Sequence, residues 1–91
     1  MGIDINTTNT DQHLVTILGQ VSARDTEKVL TDLTSSSVQS IKFILNASHA
    51  YEYLTLQMLA MLRKENKSIS LEWVDHKPSV TILSIIESIV K

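Results

Sequence analysis

The sequence contains no cysteine. That excludes a disulfide framework, a thiolate zinc site and a cysteine nucleophile, and it agrees with a reducing compartment. Only two glycines occur, Gly2 and Gly19, and they cannot form the glycine-rich loop that cradles a phosphate. No serine has a Gly-x-Ser-x-Gly context, so the nucleophile turn of the hydrolases is missing. His13, His49 and His76 show no His-x-x-x-His or Glu-x-x-His spacing, which gives no ground for a metal site. No apolar run reaches the roughly 18–20 residues that span a bilayer. The opening MGIDINTTNT lacks the basic start and apolar centre of a secretory signal. A dominant sign of charge is missing too: the formal net charge is −2, and the basic cluster Arg63, Lys64, Lys67 contains Glu65. The expectation is a cytoplasmic, non-catalytic protein with no cofactor, no metal, no nucleic-acid partner and no membrane insertion. Asn6, Asn46 and Asn66 each open an Asn-x-Ser/Thr sequon, which without a secretory signal reads as ordinary polar sequence.

What is present is an α/β pattern in a single domain, 1–91. Ninety-one residues, 43% hydrophobic and 20% charged, suit one core and are too few for two. Ile3 and Ile5 alternate with polar neighbours as a short edge strand, and the polar run Asn6 to Gln12 is a loop. His13 to Val21 reads as an interior strand with apolar residues on both faces, and Gly19 near its end marks a bulge or a close backbone approach. Ser22 and Asp25 open a helix that runs to about Thr34 and buries Val29, Leu30 and Leu33. Ser35–Ser37 is a turn. Ile41 to Leu45 is a buried strand, Asn46–His49 a polar turn, and Ala50 to about Asn66 a long helix.

Ser68 to Val74 alternates as a half-buried strand, with Ile69, Leu71 and Trp73 on one face. Pro78 suits the first turn of a closing helix. That last segment is β-prone in composition, yet Ile82, Leu83, Ile86, Ile89 and Val90 fall at helical spacing. The spacing predicts a helix against the propensity. The fold class is therefore a mixed sheet of about four to five strands with about three main helices, its later strands parallel and joined by right-handed crossovers.

Several stretches resemble the STAS domain, the family of sulfate transporters and anti-sigma factor antagonists. They are Gly19-Gln20-Val21-Ser22 running into ARDTEKVLTDL, the strand Ile41 to Asn46, the helix Leu54 to Lys64, and the closing SLEWVDHKPSVTILSII. The family usually carries Asp-Ser-Ser-Gly or Asp-Thr-Gly-Gly between the central strand and the helix after it. Here Ala50-Tyr51-Glu52-Tyr53 stands in that place. The resemblance implies a STAS-like fold and a bacterial signalling module that binds an anti-sigma factor or kinase by partner switching. A second use, as an accessory subunit packed on the ATPase of a lipid-transport ABC complex, is also implied. The phosphorylated hydroxyl of the regulatory members has no direct counterpart, and the nearest candidates are Ser48 and Thr55.

On the long helix, Tyr51, Leu54, Met58, Met61 and Leu62 share a face expected to pack on the sheet. Tyr53, Leu56 and Ala60 form a second stripe flanked by Gln57. Tyr51 is expected in the core and Tyr53 in solvent. With the junction residues, the candidate partner surface is His49, Tyr51, Glu52, Tyr53, Leu56, Gln57 and Ala60, for a protein partner or a second copy of the chain.

Overall fold

A computed structural model describes residues 2–91, so that of the domain read as 1–91 only Met1 lies outside it. The strands β1 (Ile3–Asn6), β2 (His13–Ile17), β3 (Ser40–Leu45) and β4 (Ser68–Trp73) form one sheet in the order β1-β2-β3-β4. β1 is antiparallel to β2, while β2, β3 and β4 are parallel. The helices are α1 (Ala23–Thr34), the single turn α2 (Ala47–Ala50), α3 (Tyr53–Lys64) and α4 (Val80–Val90). The expected mixed α/β sheet with three main helices is what the chain forms.

Successive right-handed crossovers that step in one direction put their helices on the same face of the sheet. The burial pattern agrees. Val15, Ile17, Ile41, Phe43 and Leu45 are fully buried, whereas Leu14, Thr16, Lys42 and Ile44, one residue out of phase, are half-buried. β2 is interior, as expected, but its second face is half-buried and, among the described residues, carries no helix. Lys42 and Glu72 form an ion pair on that open face at 2.8 Å. The core lies between the strands and the layer α1, α3, α4, with Val29, Leu33, Met58, Leu59, Leu62 and Ile86 closing over Phe43.

The helix boundaries have identifiable causes. Ser22 caps α1, its Oγ accepting the Asp25 amide at 3.1 Å. Ser79 caps α4 through the Ile82 amide, so Pro78 precedes the cap instead of opening the first turn. α4 is helical as its spacing predicts, and Ile86 is its fully buried residue. α3 ends in a complete Schellman motif: Asn66 adopts φ 62°, its amide donates to Arg63 O and that of Lys67 to Leu62 O.

Lys67 is buried, and its Nζ donates to Ser36 O at 2.7 Å and Val38 O at 2.9 Å. It thereby ties the α1–β3 loop to the start of β4. β2 is shorter than its apolar run. The amides of Leu18 and Gly19 both donate to Gly2 O, which turns the chain out of the sheet at Ile17. This is the close approach signalled by Gly19, where an added Cβ would lie 3.2 Å from the Gly2 Cα.

The left-handed backbone at Asn66 gives a direct test. Asn66→Val should destabilise the domain by about 1–2 kcal/mol, while Asn66→Gly should leave its stability unchanged or raised. Urea unfolding of the two variants measures the difference, and equal midpoints would show that this cap contributes nothing.

Candidate functional site

Because β2, β3 and β4 are parallel, their carboxyl ends meet along one rim, and the loops leaving them must satisfy one another's backbone groups. Asn46 stands at the centre. Its Nδ2 donates to Leu18 O at 3.1 Å, holding the β2 exit, and its Oδ1 accepts the His49 amide at 3.1 Å, capping α2. The Val74 amide donates to Leu45 O at 3.0 Å, and Asp75 Oδ1 accepts the Ala47 amide at 3.2 Å. Asp75 is held below its ordinary value of 3.8, chiefly by a hydrogen bond from the His76 backbone; desolvation opposes this, and the Ala47 amide and the His76 charge add to it. His49 Nδ1 bonds Glu52 Oε1, so Glu52, the residue preceding α3, makes no side-chain cap.

The polar turn expected over Asn46–His49 is thus itself a helical turn, and the continuous helix expected from Ala50 is broken at Tyr51–Glu52. The break takes Tyr51 out of phase with the helix that follows. On α3 the fully buried face is Thr55, Met58, Leu59 and Leu62. Of the face assigned from the sequence, Met58 and Leu62 are buried and Leu54 is half-buried. Tyr51, at 46% exposure, and Met61, at 45%, are not core residues. Leu54 and Met61 instead line a groove of about 540 Å³ between α3 and α1.

Thr55 is fully buried, so as a phosphorylation candidate it is closed to a kinase in the folded domain, whereas Ser48 is exposed on α2. In the candidate partner set, Tyr53 is 75% exposed as expected, and Gln57 and Ala60 are exposed with it. Leu56 is half-buried against the core, and His49 and Glu52 are half-buried against each other. The second apolar stripe is therefore not continuous.

What gathers instead is a set of residues from different loops. Leu18 follows β2, Tyr51 and Tyr53 flank the α2–α3 break, Val74 follows β4 and Val80 opens α4; all five are exposed large apolar side chains, and all belong to the rim. Leu18 and Val74 read as strand residues in the sequence, and Val80 carried no signal. What distinguishes them is that each lies at an element boundary, Leu18 and Val74 just past a strand and Val80 at the first position of α4, a property that periodicity does not report. Among the described residues, no group of three or more His, Asp or Glu side chains is placed to hold a metal ion, and no helix is long and apolar enough to cross a membrane. Compared with protein-family models, with curated proteins and with solved structures, the chain matches none.

The Asp75 cap has a definite pH signature. A carboxyl whose folded value is depressed stabilises the fold above its unfolded value, and that contribution disappears as pH falls through the folded one. The Ala47 amide should therefore keep its protection and chemical shift down to about pH 4 and change below it. In Asp75→Asn this step should vanish. An Ala47 resonance that titrates identically in both proteins would disconnect the cap from the carboxyl.

Proposed function

We propose that this chain is a non-catalytic, STAS-like interaction module that binds a regulatory protein through the rim at the carboxyl ends of β2, β3 and β4. The observation that carries the reading is the gathering of Leu18, Tyr51, Tyr53, Val74 and Val80, apolar and exposed, around loops that Asn46 and Asp75 hold in place. Apolar side chains grouped on a hydrogen-bonded frame suit a partner surface, since the frame lowers the ordering cost of binding. Tyr51 and Tyr53 are suited to anchoring, each offering a large ring with a hydroxyl that stays hydrated. Within the STAS reading this rim contains the junction over which a kinase or anti-sigma factor docks, in a bacterial cytoplasm.

The burial of Thr55 leaves Ser48 as the one hydroxyl of the two candidates that a kinase can reach. A phosphate on Ser48 would add roughly −2 charge between Ala47, whose amide Asp75 accepts, and the His49–Glu52 pair, which gives a route to switching partners. The missing Asp-Ser-Ser-Gly favours the second reading, a constitutive accessory subunit packed on an ABC-type ATPase, which needs no switch.

Affinity purification from the source cell, with the wild type and a Leu18→Ser/Tyr53→Ala double variant side by side, tests the surface. The variant should keep its melting temperature within about 2 °C, as exposed positions do, and lose most of the captured partner, about tenfold or more. Full retention of the partner would rule the rim out. Mass spectrometry after incubation with the cognate kinase should find phosphate on Ser48 for a switching module and on neither Ser48 nor Thr55 for a constitutive one. Phosphate on Thr55 in the folded protein would contradict both.

A further inference from the structure

β4 ends the sheet, and its outer edge is open. The Ser68 amide donates to Gln39 O at 2.8 Å and the Val74 amide to Leu45 O at 3.0 Å, so the even-numbered residues of β4 turn their backbone toward β3. The alternate residues, Ile69, Leu71 and Trp73, turn N–H and C=O outward. Among the described residues, none of these outward groups is bonded to a loop or to α4. Their side chains belong to the helix-covered face, yet they are only half-buried. α4 stands off and leaves a groove of about 320 Å³ between these three residues and Leu83, Glu87 and Val90. An unpaired edge beside an unfilled apolar groove is what an added strand satisfies, its backbone completing the ladder and its alternate side chains filling the groove.

We propose that the added strand is β4 of a second copy of this chain, antiparallel, with Leu71 opposite Leu71 across a twofold axis. Three observations select this occupant. In that register the three outward-facing residues pair only among themselves, Ile69 with Trp73 of the second copy and Leu71 with Leu71, so every free group on either edge is used. Glu72 then faces Ser70 of the second copy, whereas a twofold through Glu72 would set two carboxylates directly opposite.

The groove's charges are also complementary under the same operation. Arg63 donates to both Lys67 O and Lys91 O, which places the end of α4 beside the start of β4. α4 therefore runs antiparallel to β4, with Lys77 at the Trp73 end of the groove and Glu87 toward the Ile69 end. Reversing the strand brings Lys77 of each copy to Glu87 of the other, whose own pairing is the long, exposed 3.7 Å contact with Lys91, the third charge of the groove. The opposite edge lacks this property: β1 is flanked by Asp4, Asp25 and Asp32 with only Lys28 to offset them, so two β1 edges would bring like charges together. This inference stands on β4 and α4 and does not rest on the reading of the rim.

Sedimentation equilibrium of the 91-residue chain up to about 1 mM should show a monomer–dimer equilibrium. Lys77→Glu and Glu87→Lys should each weaken the dimer about tenfold, and the double variant should restore it to within about threefold. A role confined to folding would not give that restoration. Because the native chain has no cysteine, the register can be read by oxidation. An equimolar mixture of Ser70→Cys and Glu72→Cys should cross-link faster than either variant alone, since these positions face each other at a Cα separation of about 4.5 Å. A monomer at every concentration overturns the proposal. So does mass that grows without limit, which indicates β4 adding to β1 in an open filament. Unchanged dimerisation of the charge variants, or equal cross-linking in all three samples, overturns it as well.

Discussion

Asn46 stands where three parallel strands run out of partners. A parallel sheet delivers all its strand ends to one side, and at that side every departing loop carries amides and carbonyls that the ladder no longer satisfies. One side chain answers on two sides at once, accepting from the His49 amide and donating to Leu18 O, while Asp75 takes the Ala47 amide from the third strand. Both depend on an acceptor oxygen at a fixed place, and Asn46 needs a donor on the same side chain as well. Without these bonds the α2 turn and the two strand exits would each need water, and the apolar side chains above them would have no fixed frame. The order of the rim is thus a consequence of sheet topology first and of side-chain chemistry second.

Most of the architecture was legible because it rests on periodicity. Ile82, Leu83, Ile86, Ile89 and Val90 specify a helix through spacing alone, although their β-branched composition argues for a strand, and α4 forms as the spacing requires. The capping of α1 by Ser22 and the alternation of Ile69, Leu71 and Trp73 were equally plain. What periodicity could not supply was phase across an interruption. A reading that carries one helix from Ala50 onward places Tyr51 and Met61 in the core. The two residues outside the helix at Tyr51–Glu52 take Tyr51 off the buried face, whereas within the unbroken α3 the stripe Thr55, Met58, Leu59 and Leu62 is what packs inward and Met61 falls to one side of it. For Tyr51 the error lies in a backbone break that no glycine or proline announces, since a helix starts after Asn46 and another after Glu52, six residues later; for Met61 it lies in leaving the polar Thr55 off the buried face.

The three asparagines of the sequons show how position gives one residue type different tasks. Asn6 folds the chain out of β1, its side-chain oxygen accepting the Thr8 amide at 3.0 Å. Asn46 caps a helix and bridges two strands, and Asn66 takes the left-handed conformation that ends α3. Asn6 and Asn46 use the short amide to replace a backbone interaction lost at an element boundary, and Asn66 serves its boundary through its backbone conformation. Their spacing along the chain therefore follows the boundaries of the fold, which is a sufficient reason for them without any carbohydrate.

The domain has two kinds of unfinished surface, and they call for different physics. At the rim the backbone is satisfied and the side chains are not, so whatever covers it gains from burying Leu18, Tyr53 and Val74 and must match their shape. At the β4 edge the reverse holds, because the outward groups of Ile69, Leu71 and Trp73 are unbonded among the described residues and pairing there is set by hydrogen-bond register. A surface governed by side-chain shape can be tuned to one partner by a few substitutions, whereas an open edge accepts any strand unless charge and register restrict it. In this chain Glu72, Lys77 and Glu87 are the groups able to impose that restriction, because they flank the edge with both signs of charge in an order that a reversed copy matches. The edge thus needs charge for selectivity far more than the rim does, and it receives it from Glu72 on the strand, Lys77 in the loop that follows and Glu87 on α4.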